Sequence, residues 1–132
     1  MTSNYLGNKI LDLIMGGTAY TPPATYYLAL FTVMPLADGS GGTEVAGGGY
    51  ARVGMANNLT NFPAASGKTK SNGVAVTFPM ATASQGAVAG VVVMDAASGG
   101  NMHLISAFSE PRVVATNDTL SFNIGQLTFT AL

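Results

Sequence analysis

Apolar residues recur at helical spacing only at the start of the chain. In MTSNYLGNKILDLIMGG, Leu6, Ile10, Leu13 and Ile14 fall on one face, Ser3 or Asn4 can cap the first turn, and Gly16-Gly17 stop it. This predicts a helix over about residues 3–15, weakened at Gly7 and packing through Leu6, Ile10 and Ile14. After Thr21-Pro22-Pro23 the pattern becomes that of strands. Thr25 to Val33 (TYYLALFTV) is aromatic and aliphatic throughout and reads as a strand buried on both faces. Tyr50 to Ala56 and Val74 to Pro79 are shorter candidates, and Ala87 to Asp95 is a β-branched run without helical period. The AASGGN turn joins that run to Met102–Phe108 as a hairpin. Pro111–Ala115 and Thr119–Asn123 flank a turn at Thr116 to Asp118, and the chain closes on the alternating Gln126–Leu132.

About eight short strands at this spacing predict a mainly β, single-domain chain over residues 1–132. The expected fold is an antiparallel β-sandwich of jelly-roll type with a short N-terminal helix. Two connections, about 35–49 and 57–73, exceed ordinary loop lengths, and loops of that kind are functional or disordered.

Composition adds one strong constraint. Only 8% of residues carry a charge, against about 25% in an ordinary soluble domain. The net charge of −1 leaves no basic field to neutralise a nucleic-acid backbone, so no nucleic-acid partner is expected. Interface cores are depleted in charge, so the composition favours a surface covered by other subunits and self-association as a dimer or trimer. A small β domain covered by Gly, Ala, Ser, Thr and Asn is the competing reading. The start of the chain lacks a basic segment and a continuous apolar run, so it is not expected to be a signal peptide. No apolar run approaches the ~20 residues that span a bilayer, so no membrane role is expected. With no cysteine, disulfides and thiolate metal sites are excluded.

Candidate chemistry is sparse. The stretch Asp38 to Val53 is rich in glycine, but it leads toward a strand, whereas a dinucleotide loop opens a helix. Gly67-Lys68-Thr69 resembles part of a phosphate loop, yet the position that needs glycine is Phe62. His103, the single histidine, alternates with Met102 and Leu104 and is expected to face solvent or an interface. Asp12, Asp38, Glu44, Asp95, Glu110 and Asp118 are scattered singly. Asn58-Leu59-Thr60 and Asn117-Asp118-Thr119 match the glycosylation pattern without other signs of secretion. No cofactor, no metal and no enzymatic activity are therefore expected.

The glycine loop does suggest contact. Gly47, Gly48 and Gly49 precede Tyr50 and Arg52, an aromatic and an arginine of the kind favoured at binding hot spots. The expected partner-contact residues are Glu44, Gly47, Gly48, Gly49, Tyr50 and Arg52, on an arm that is mobile until bound. Glu44 and Arg52 can also pair and pin the loop, and residues 57–73 offer the alternative partner surface.

The segments YTPPATYYLALFT, GTEVAGGGYARV, VAVTFPMAT, MDAASGGNMHLISAF and NDTLSFNIGQLTFTAL follow one another as in a family of small tailed-bacteriophage virion proteins, which the chain resembles over nearly its whole length. Members are labelled tail-fibre or capsid decoration (cement) proteins. The resemblance implies a structural protein of the virion and not an enzyme. The first expectation is a decoration protein that binds the outer surface of the shell through the major capsid protein and stabilises the head. The second is a tail-associated or fibre protein, with a host glycan as a ligand. No heptad run is present to build a coiled-coil shaft.

Overall fold

The computed structural model describes residues 1–131, in which one helix and nine strands are arranged as an antiparallel β-sandwich. Helix α1 spans Asn4–Gly16. The strands are β1 (Thr25–Val33), β2 (Thr43–Glu44), β3 (Val53–Ala56), β4 (Thr69–Ser71), β5 (Val76–Thr77), β6 (Gly86–Met94), β7 (Met102–Val114), β8 (Ser121–Phe122) and β9 (Thr128–Thr130). One layer is a sheet in the order β2-β1-β6-β7, with β3 sharing the β1 edge. The other consists of two ribbons, β4–β9 and β5–β8. Asn72 stitches the ribbons together: its amide nitrogen donates to the carbonyls of Val74 and Asn123, and its Oδ1 accepts from the Leu127 N–H.

Alternation along β1 and β6 explains why both read as continuous apolar runs. Leu28, Leu30, Val91 and Val93 face the ribbons and pack with Phe62, Phe122 and Phe129. Ala29 and Val92 face the other way, into a second cluster with Met94, Met102 and Ile105. Each large side chain so buried contributes about 1.5–3 kcal/mol. Gly90 sits in β6 where strands press closest; a Cβ there would lie 2.5 Å from the Ser106 carbonyl oxygen.

Departures from the sequence reading have local causes. Met102–Phe108 and the expected strand at Pro111 belong to one strand ending at Val114, because β7 bulges between the Ala107 and Arg112 pairings and tolerates Pro111 there. The two long connections contain the short strands β2 and β4, too brief to show a period. Tyr50–Ala56 and Val74–Pro79 shrink to β3 and β5, and the final strand is β9, with Leu132 outside the described residues.

His103 is the clearest correction. It is 1% exposed, not outward-facing. Val93 pairs with Leu104 and Met94 with Met102, so His103 is the extra residue of a bulge and the simple alternation breaks there. Its ring meets the edges of Tyr5 and Tyr26, each at a centroid distance of 5.3 Å. Nδ1 donates to the Asn101 carbonyl at 3.2 Å, and Nε2 hydrogen-bonds the Tyr20 hydroxyl at 3.0 Å.

Candidate functional site

Two regions stand out, one anticipated from sequence and one not. The first is the corner formed by β2, the glycine loop and the start of β3. Gly47, Gly48 and Gly49 all adopt left-handed backbone, with φ of 73°, 62° and 75°. That turn folds the loop down onto Thr82–Gln85, where the Gly48 carbonyl accepts from the Thr82 N–H and the Gln85 side chain. A Cβ on Gly48 would stand 2.8 Å from the Ala83 carbonyl oxygen. Gly48 and Gly49 thus serve close approach to the chain's own segment, whereas Gly47 borders open space.

The side chains of the corner also turn inward. Arg52 makes a two-pronged pair with Glu44, Nε to Oε2 and Nη2 to Oε1, each at 2.8 Å. Its Nη1 donates to the carbonyls of Ala96 and Gly99 in the β6–β7 turn. Tyr50 Oη donates to Glu44 at 2.6 Å and accepts from the buried Leu30 N–H at 3.0 Å. The Arg52 guanidinium holds the Glu44 carboxyl below its ordinary range, against the opposing effect of burial. Burial, followed by the bond to Glu44, pushes the Tyr50 phenol well up. The Arg52 side chain is only 6% exposed. Arg52 and Tyr50, expected to reach toward a partner, are therefore committed to their own fold. Of the expected contact residues, Gly47 and Gly49 are exposed and Glu44 is partly so.

The second region is α1 with the groove at its base. The Ser3 hydroxyl accepts from the Leu6 N–H and donates to the Met102 carbonyl, so the helix start is fastened to β7. Thr2 bridges to Leu104 and the Ser3 N–H donates to the His103 carbonyl, extending the sheet by one short segment. Gly17, with φ of 64°, ends the helix. Between these ends no residue of α1 is buried. Ile10 and Ile14, expected to pack, are 37% and 72% exposed. Residues Tyr5, Lys9 and Asp12 instead border the chain's own Thr18–Thr21 segment.

Leu6 alone of the expected packing positions reaches inward. It lines an apolar groove of about 490 Å³ with Tyr26, Phe62, Val93, Leu104 and Phe129. Leu59 and Lys68, both exposed, stand at its margin. The 57–73 segment supplies this wall. It is held in place by the buried Phe62 and by Lys70, whose Nζ donates to the Phe62 and Pro63 carbonyls. The sequence signal was the length of that connection; the aromatic wall itself comes from residues far apart in the chain.

A family model described as Podophage GP4 fiber I protein gp80 matches residues 1–130. The chain belongs to this family. It is a structural protein of a tailed-phage virion, which agrees with the resemblance seen in its segments. No curated protein matches the chain.

Proposed function

We propose that the protein is a component of the phage tail, acting as a fibre or fibre-attached domain. The observation that carries this reading is the match of residues 1–130 to a family described as a podophage fibre protein. It favours the tail over the outer shell of the head, the place first expected from the resemblance. The partners of such a chain are other fibre or tail subunits, with the major capsid protein as the partner under the decoration reading.

The role is structural and not catalytic. Supporting this, His103 is enclosed by tyrosines and both its ring nitrogens are engaged. Glu44 is neutralised by Arg52.

The test is location on the particle. Antibody raised against this chain, with gold labelling of purified virions, should mark the tail, with few copies per particle. Labelling spread over the head at hundreds of copies would return the decoration reading and overturn this one.

A further inference from the structure

Helix α1 leaves a wide apolar surface in solvent: Leu11, Leu13, Ile14 and Met15 are 45–82% exposed. With Ile10 they present on the order of 500 Å² of apolar surface, the upper end of the largest patch on a typical monomer. Helices shorter than about 12–15 residues are marginal in water unless a packed face supports them. Nothing in the body of this chain supplies that support beyond the first turn, since every residue from Asn8 to Gly16 is exposed.

We propose that the exposed face of α1 seats in the apolar groove of a second copy of this chain. Continuity is the first argument. Leu6 belongs both to the helix stripe and to the groove wall, so projection and recess form one patch, as a self-matching contact requires. Dimensions are the second. From Leu6 to Ile14 the helix rises about 12 Å, so a helix laid antiparallel against its counterpart brings Ile14 and Met15 over the other copy's groove.

Charge is the third argument. The last turn of α1 carries no basic residue to offset its C-terminal carbonyls. Lys68 stands at the groove margin, where that end of the second helix would arrive. The areas also fit: helix face, groove and Leu59 together approach the roughly 800 Å² per partner of a stable interface. The contact depends on the chain alone, so its test is independent of where the protein sits on the particle.

The full chain lacks cysteine, which makes trans cross-linking a clean probe. Mixed under mild oxidation, Ile14→Cys and Leu59→Cys proteins should form a disulfide-linked pair. Ile14→Cys with Val113→Cys should not, because Val113, also exposed, lies at the opposite end of β6–β7. Sedimentation at micromolar concentration should show an associated species. Ile14→Asp and Leu59→Glu should each weaken that association at least tenfold, with unchanged far-ultraviolet circular dichroism. A wild-type monomer at that concentration overturns the proposal, including one whose groove captures a glycan from an array. So does an association that survives both substitutions, or a cross-link to Val113→Cys in preference to Leu59→Cys.

Discussion

At the Glu44–Arg52 corner, a charged and glycine-rich stretch is turned into the fold; at α1, an apolar stripe is turned out of it. The corner goes inward because the side chains of Glu44, Tyr50 and Arg52 all find partners there. Four of the five N–H donors of Arg52 are used, two on Glu44 and two on backbone carbonyls. The helix stays outward because only its first turn meets the sheet. Polarity alone therefore does not decide what a small chain buries. Partner geometry does, and here it commits the Glu44–Arg52 pair to the fold.

Glu44→Ala should break this contrast most severely. It strands the Arg52 guanidinium in a site where its side chain is 6% exposed, at the low end of the 3–5 kcal/mol lost when a buried pair is severed, about 3 kcal/mol. Chemical unfolding measures it; a loss below about 1 kcal/mol would mark the corner as an ordinary exposed pair. Acid supplies a second reading of the same bond. Because Glu44 has a folded pKa below its ordinary 4.5, its contribution is complete above that value and fades as pH falls through the lowered one. Glu44→Gln should flatten that part of the acid limb.

His103→Ala comes next, at about 2–4 kcal/mol, since it empties a fully enclosed site and leaves the Tyr20 hydroxyl and Asn101 carbonyl without their bonds. Amide exchange should quicken at Leu6, because Tyr5 loses the ring that steadies the helix base. Unchanged exchange there would separate the helix from the histidine.

Gly48→Ala should cost about 1–2 kcal/mol for a side chain in left-handed backbone, before the contact with Ala83 is counted. A variant that melts like wild type would restore the picture of a free arm. The smallest effect on the lone chain belongs to Ile14→Asp, within about 0.5 kcal/mol in dilute solution. A loss of 2 kcal/mol there would place the stripe inside its own subunit and end the comparison.

Much of the β architecture is legible in the sequence because alternation and turn residues are local signals. β1 falls on the predicted Thr25–Val33, β6 lies within one residue of its predicted ends, and Leu127 and Phe129 are buried as their alternation suggests. The misreadings at His103 and Pro111 share one cause. A bulge shifts the phase of β7, and no residue type announces it in advance. At the candidate site, the Glu44–Arg52 pair was visible as two opposite charges flanking a flexible turn. The groove was not, because Tyr26, Phe62, Val93 and Phe129 meet only through pairing distant in sequence. The helix was visible as a helix, but its stripe signals burial without naming the chain that provides it.

The fastening of α1 has a mechanical consequence. Tension applied to the helix is borne first by the Ser3 N–H on the His103 carbonyl, the Ser3 hydroxyl on Met102, and the Asn4 N–H on Ala37. Two of these anchor on β7 and the third on the loop that follows β1. A pull is thus divided between two strands that both flank β6, so the load passes into the middle of the sheet, and detaching the helix requires several bonds to yield together.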